Sequence, residues 1–281
     1  MSGVVLHCRG RVLGLERPVV MGVLNVTPDS FSDGGRFVRL DDAVARGVQM
    51  AEEGAAIIDV GGESTRPGAQ PVGLDEELRR VIPVIARLRS RTQAVLSVDT
   101  SKPEVMHAAA AAGAAMINDV RALRGSGALE AAVASGCAVC LMHMLGEPRT
   151  MQDSPSYQDV VAEVRQFFAE RVAACLEAGL AAERIVLDPG FGFGKTLAHN
   201  LELLRHLGEL SVDGLPILAG LSRKSMVGAL TGRPAAERVH GSVALAAIAV
   251  LNSARILRVH DVAATVDALK VVEQVTRGPS P

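Results

Sequence analysis

The sequence predicts an α/β protein, a (β/α)8 barrel entered through a short N-terminal β-hairpin, and three observations carry that expectation. Short β-branched runs alternate with longer amphipathic or Ala-rich segments from Val19 to the C-terminus, the rhythm of a parallel sheet with helical crossovers. Eight such runs can be counted. Polar residues stand at nearly every run's end, where a closed barrel collects its chemistry.

Ahead of the runs, His7-Cys-Arg-Gly-Arg-Val-Leu lies between two extended segments with a glycine at its turn, which predicts a hairpin capping the barrel's N-terminal end. The runs span residues 19–24, 56–60, 94–98, 114–117, 138–142, 185–187, 217–219 and 255–259, each a near-continuous apolar stretch suited to burial on both faces. Between them lie helix signals: Asp41 and Asp42 at one start, Pro103 in the first turn of another, and Gly54, Gly113, Gly136 and Gly179 near four ends. The tail from Arg277 to Pro281 is expected to fray. No solenoid repeat and no Pro-, Gly- or Ser-rich linker interrupts the pattern, so residues 1–281 read as one domain.

Composition narrows the function. With 29 Lys+Arg against 31 Asp+Glu and no block of like charge, the chain lacks the electrostatic footprint of a nucleic-acid binder. Residues 242–254 form the longest apolar stretch, short of the ~20 residues a membrane span needs. The four cysteines (Cys8, Cys137, Cys140 and Cys175) include no second pair to complete a zinc site and read as buried thiols of a reducing cytoplasm. With no Trp and one Tyr, recognition by stacked bases is not a theme. A small ligand is expected.

A doubly wound open sheet would concentrate its ligand chemistry in one glycine-rich turn after the first strand. Here the polar residues are distributed: Asn25, Gly61-Gly-Glu-Ser-Thr-Arg, Asp99, Asn118-Asp119, His143, Asp188, Ser222-Arg-Lys, and Arg258 with His260 follow the eight runs in turn. Only a closed barrel of TIM type brings all eight ends to one mouth.

Asn25-Val-Thr-Pro-Asp-Ser-Phe-Ser-Asp-Gly-Gly offers an amide oxygen followed by a long polar loop, in the manner of a lid over a charged substrate. A neutral oxygen at Asn25 suits a hard cation such as Mg2+, which prefers substrate phosphate for its other ligands. The second loop adds the hydroxyl of Thr65 and the fixed charge of Arg66. Asp99, Asn118 and Asp188 are short polar side chains entered from apolar runs, and burial without partners costs several kcal/mol apiece. Together they suit a heterocycle with a 2-amino-pyrimidinone edge, such as a pterin, although internal salt bridges or helix caps account for any one of them. Lys224 and Ser225 stand where a strand hands over to a helix, a place for a carboxylate or phosphate. Arg258 and His260 are alternate residues, hence on one strand face, and suit a diphosphate. Gly190-Phe-Gly-Phe-Gly-Lys-Thr imitates a nucleotide P-loop but has Pro189 where the Walker pattern needs Gly, and it lies in a sixth barrel unit. ATP binding is rejected; Gly192 and Phe193 are read as an apolar wall for an aromatic co-substrate.

Taken together, the segment from Asn25, Asp59-Val-Gly-Gly-Glu-Ser-Thr-Arg-Pro-Gly, Asp188-Pro-Gly-Phe-Gly-Phe-Gly-Lys, Ser222-Arg-Lys-Ser and Arg258-Val-His260 resemble the bacterial dihydropteroate synthases nearly end to end. The resemblance implies condensation of hydroxymethyl-dihydropterin diphosphate with para-aminobenzoate, in folate biosynthesis, by a Mg2+-dependent homodimer that is a sulfonamide target. It implies that Asp99, Asn118, Asp188 and Lys224 hold the pterin and that Asn25 ligates Mg2+ beside the diphosphate. Thr65, Arg66, Arg258 and His260 would complete the anion site, and Phe31, Pro67, Phe193 and Ser225 would frame the aminobenzoate. Asp99, Lys224 and Asn25 would be the catalytic residues. The rivals are a pterin-dependent methyltransferase, an aldolase-like barrel with Lys224 as Schiff-base former, and a binding barrel without turnover. Asp59, Lys195 and Asn200 stay open: Asp59, at the end of a buried strand, either touches substrate or orients Asn25 or an arginine, and Lys195 and Asn200 are either ligands or braces of the sixth loop.

Overall fold

In the computed structural model, which describes residues 4–27, 36–64, 70–147 and 150–277, the predicted hairpin comes first. Strand β1 (Val5–Cys8) pairs antiparallel with β2 (Arg11–Gly14), Leu6 opposite Leu13. Arg9 and Gly10, both at positive φ (44° and 82°), make the two-residue turn, whose twist matches that of the strands it joins. Leu6, Cys8 and Leu15 are buried against Met21, Ile57, Met116, Val186 and Ile256, so the hairpin plugs the floor of the barrel.

Eight parallel strands close the barrel in the order β10-β3-β4-β5-β6-β7-β8-β9. They are β3 (Val19–Asn25), β4 (Ile57–Gly61), β5 (Val95–Asp99), β6 (Met116–Asp119), β7 (Ala138–Met142), β8 (Ile185–Asp188), β9 (Ile217–Ala219) and β10 (Ala254–Val259). The helices between and after them are α1 (Arg36–Glu52), α2 (Leu74–Leu88), α3 (Pro103–Ala112), α4 (Ala128–Ser135), α5 (Val160–Glu177), α6 (Leu197–Arg205), α7 (Ser225–Thr231), α8 (Val239–Leu251) and α9 (Val262–Arg277). Side chains alternate along each strand. Val20, Leu24, Ile58, Val60, Leu96, Val98 and Ile117 face the helices, while Met21, Ile57, Val95, Met116, Cys140 and Val186 fill the interior. All four cysteines are buried and free.

Five strands run further than the apolar runs suggested, through Asn25, Gly61, Asp99, Asp119 and Asp188. Backbone pairing explains the extension: Asn25 registers with Gly61, Gly61 with Asp99, and Asp99 with Asn118. Pairing is blind to the side chain, and the period of two sends Asn25, Asp99, Asn118 and Asp188 inward at the carboxyl end, while Asp119 turns the other way. A second correction concerns Asp41 and Asp42, which lie inside α1 rather than at its start. Leu40 packs on the same core as Ala43 and Val44, so the buried stripe begins before the acidic pair. Gly54, Gly113, Gly136 and Gly179 do follow helix ends, all at positive φ, the conformation glycine adopts without penalty. Arg277 ends α9, and the rest of the tail lies outside the described residues.

Candidate active site at the barrel mouth

Asp59 sits on β4 one inward position below Gly61 and is wholly buried. One of its oxygens, Oδ2, accepts from Arg258 Nε at 2.7 Å and from Asn118 Nδ2 at 3.0 Å. The same guanidinium donates through Nη2 to Asp99 Oδ2 at 2.7 Å. Four strands, β4, β5, β6 and β10, are thereby cross-linked through one charged cluster at their carboxyl ends.

The rest of the mouth adjoins this cluster. A Cβ placed on Gly61 would lie 3.7 Å from both Asn25 Oδ1 and Asp99 Oδ2, so the amide and the carboxylate flank that glycine. A Cβ on Gly220 would lie 3.7 Å from Lys224 Nζ, 3.9 Å from Arg258 Cβ and 4.0 Å from Asp188 Oδ2. Both glycines therefore leave open floor beneath converging polar groups. Lys224 donates to the Phe191 carbonyl and holds its ammonium 4.8 Å from the centre of the Phe193 ring, a cation–π contact. Ser225 begins α7 and is exposed. His260 accepts or donates through Nδ1 to Ser222 Oγ at 3.1 Å, and its backbone N–H reaches the same hydroxyl.

Burial sets the electrostatics. It pushes the Asp99 carboxyl up to about 7, against the opposing pull of Arg258. Asp188 is raised for the same reason, opposed by Lys224 and by the Gly190 N–H that donates to Oδ1 at 2.8 Å. Lys224 is brought down to about 8 by burial, with Asp188 resisting. Burial also works against the charge of Arg258, but the carboxylates of Asp59 and Asp99 outweigh it and hold the guanidinium above its ordinary value. A mouth of buried, opposed charges favours a ligand that is both polar and charged.

Asn25, Asp99, Asn118, Asp188, Lys224, Arg258, His260, Phe193 and Ser225 are thus assembled at one end of the barrel. Phe31, Thr65, Arg66 and Pro67 lie outside the described residues. Arg258, expected at the anion, has two of its nitrogens engaged with the carboxylates of Asp59 and Asp99. Lys195 and Asn200 prove to be braces. Lys195 Nζ is buried among the carbonyls of Gly190 (3.1 Å) and Phe193 (3.0 Å) and the Nδ1 of His143 (2.9 Å), and Asn200 Oδ1 accepts from Gly192 N at 2.8 Å. The lysine that a P-loop would aim at phosphate is turned into the protein. Asp119 accepts from the N–H groups of Arg121 and Leu123 at 2.8 Å and shapes its own loop.

Sequence reasoning left Asp59 open between touching substrate and orienting Asn25 or an arginine, and it passed over Gly220. A charged residue inside an apolar strand was the available signal for Asp59; Gly220 gave none, because its meaning depends on what lies across the barrel.

A closed barrel with buried, opposed charges at the carboxyl ends of its strands has the architecture of a barrel enzyme acting on a small polar substrate. Residues 21–260 match the family described as pterin binding enzyme. The dihydropteroate synthase of Escherichia coli strain K12 is 55% identical over 268 residues, 95% of each chain. The structure of Xanthomonas albilineans dihydropteroate synthase with 4-aminobenzoic acid is 57% identical, with a TM-score of 0.93 over 99% of this chain and all of that one. The same enzyme in complex with 7,8-dihydropteroate matches at 54% identity and a TM-score of 0.90, over 98% of this chain and all of that one. The chain belongs to the dihydropteroate synthase family of pterin-binding enzymes.

Proposed function

We propose that the chain, as one domain, joins hydroxymethyl-dihydropterin diphosphate to para-aminobenzoate, giving dihydropteroate and diphosphate in the cytoplasm. The observation that carries this reading is the charged cluster of Asp59, Asp99, Asn118 and Arg258 set beside Asp188 and Lys224. Carboxylates and an amide at that spacing suit the donor-rich edge of a pterin, and the relatives with bound product and aminobenzoate support the choice.

In this reading Asp188, Asn118 and Lys224 hold the ring, and Asp99 lies beside it. The bond from the methylene carbon to the diphosphate oxygen breaks, the electron pair leaves with the diphosphate, and positive charge develops on the methylene and ring. The Asp99 carboxylate stabilises that charge at short range in a water-poor site. The aniline nitrogen then bonds to the methylene and releases its proton. Phe193 frames the aminobenzoate, with Ser225 at its carboxylate; the resemblance assigns Phe31 and Pro67 to the same substrate. His260 and the part of Arg258 not shared with carboxylates face the diphosphate, to which the resemblance also assigns Thr65 and Arg66.

Asn25 Oδ1 faces the open space at Gly61, a neutral oxygen donor that fits Mg2+ taking its remaining positions from phosphate and water. Among the described residues no group of three or more His, Cys, Asp and Glu is placed to hold a metal without substrate. Bound there, Mg2+ would neutralise charge on the leaving diphosphate.

The deciding experiment measures diphosphate release with both substrates and with each alone. Release that requires both supports the reading; methyl transfer from methyltetrahydrofolate without diphosphate would select the methyltransferase instead. A sulfonamide should compete with aminobenzoate and not with pterin diphosphate. The homodimer rests on exposed apolar residues of adjacent helices, among them Leu230 on α7 and Ile248 and Leu251 on α8. Among the described residues no helix is long and apolar enough to cross a membrane.

A further inference from the structure

We propose that Asp59 is a positioning residue, turning the Asn118 amide toward the pterin and holding Arg258 on Asp99 without touching substrate itself; the inference rests on the function proposed above. Asp59 has no exposed surface and lies one inward position below Gly61 on β4. Its Oδ2 receives both donors, Arg258 Nε and Asn118 Nδ2.

That shared acceptor has two consequences. With its NH2 committed downward, the Asn118 amide presents its oxygen on the other side as an acceptor. An amide free to flip would offer a donor there instead, and a ring edge rich in N–H groups would meet the wrong partner. With Nε committed, the guanidinium is held so that Nη2 falls on Asp99. A planar, forked donor fixed at one nitrogen is fixed at the others, so Asp59 also sets where the Asp99 carboxylate points. Asp59 Oδ1 and the hydroxyl of Ser97, its register partner on β5, have no hydrogen-bond partner among the described residues. A carboxylate buried with one oxygen unpaired is a poor device for stability alone.

The test compares Asp59→Ala and Asp59→Asn with the wild type. Asn keeps an acceptor where Oδ2 stands, whereas Ala leaves both donors unpaired. Asp59→Ala should raise KM for pterin diphosphate, and weaken calorimetric binding of hydroxymethylpterin, by roughly 10- to 100-fold, the loss expected for hydrogen bonds to a charged group. KM for aminobenzoate should change less than about 3-fold, and Asp59→Asn should restore pterin binding to within about 5-fold of wild type, since it retains the hydrogen bonds. If the Ala protein does not fold, Asp59→Ser, which can satisfy one donor, takes its place in the same comparison. Unchanged pterin binding in a folded variant overturns the proposal. So does an equal loss for both substrates that tracks a lower melting temperature, or an Asn variant as impaired as Ala. Should the wild type release no diphosphate, the catalytic reading fails by itself, while the calorimetric comparison still decides the role of Asp59.

Discussion

Asp99 and Lys224 face opposite demands from the same burial: the carboxyl is lifted to about 7 and the ammonium drawn down to about 8. If the ionised acid and the protonated base both serve the pterin, kcat/KM for pterin diphosphate follows a bell. It falls on the acid side as Asp99 gains a proton and on the alkaline side as Lys224 loses one. Asp99→Asn should abolish the acid limb and leave the alkaline limb in place; an unchanged acid limb would assign it to another group. Folding stability carries a matching signature. Between 3.8 and about 7 the folded chain holds a proton on Asp99 that the unfolded chain has lost. The Asp99 contribution is therefore full below that window and is lost as pH rises through about 7. Melting temperatures of wild type and Asp99→Asn should diverge across the window, with the wild type declining more steeply as pH rises.

The loop after β8 illustrates what an element contributes beyond its side chains. Gly190 has a φ of +64°, and a Cβ there would stand 2.0 Å from the His143 carbonyl oxygen. Gly190→Ala should therefore cost about 2 kcal/mol or more in urea denaturation, from strain and steric conflict together. Gly220→Ala is the contrasting case, because its Cβ would meet only ordinary contacts with Lys224, Arg258 and Asp188. That variant should melt like the wild type yet bind hydroxymethylpterin roughly 10-fold more weakly, a methyl having displaced hydrogen-bonded ligand. The hairpin is separable from the site in the opposite sense. Leu6→Ala opens a cavity in the floor and should cost about 2–5 kcal/mol, with pterin affinity in the folded protein unchanged. The eight runs, the hairpin and four helix ends were legible because apolar periodicity and glycine placement are local signals. The continuation of strands through Asn25, Asp99 and Asp188 was not, since the backbone pairing that sustains them comes from neighbouring strands distant in sequence. Asp41 and Asp42 misled for a related reason: acidic residues mark a helix start only when no buried stripe precedes them.

For the molecule as a whole, closure of the barrel is the step that turns eight separate chain segments into a site. The proposed dimer belongs to this scale as well. Sedimentation should give twice the 29.3 kDa chain mass, and charges introduced together at Ile248 and Leu251 should yield a monomer, because two buried carboxylates on an apolar interface are unpaired. By itself the amino-acid order determined the fold class, the strand-end residues and the family, since those depend on periodicity and on contiguous motifs. Tertiary structure alone decided that Arg258 is divided between Asp59 and Asp99, that Lys195 faces inward, and that Gly220 is floor. Each of those depends on which residue stands across the barrel, and a hydrogen bond between residues 199 positions apart, as from Arg258 to Asp59, leaves no trace in local sequence.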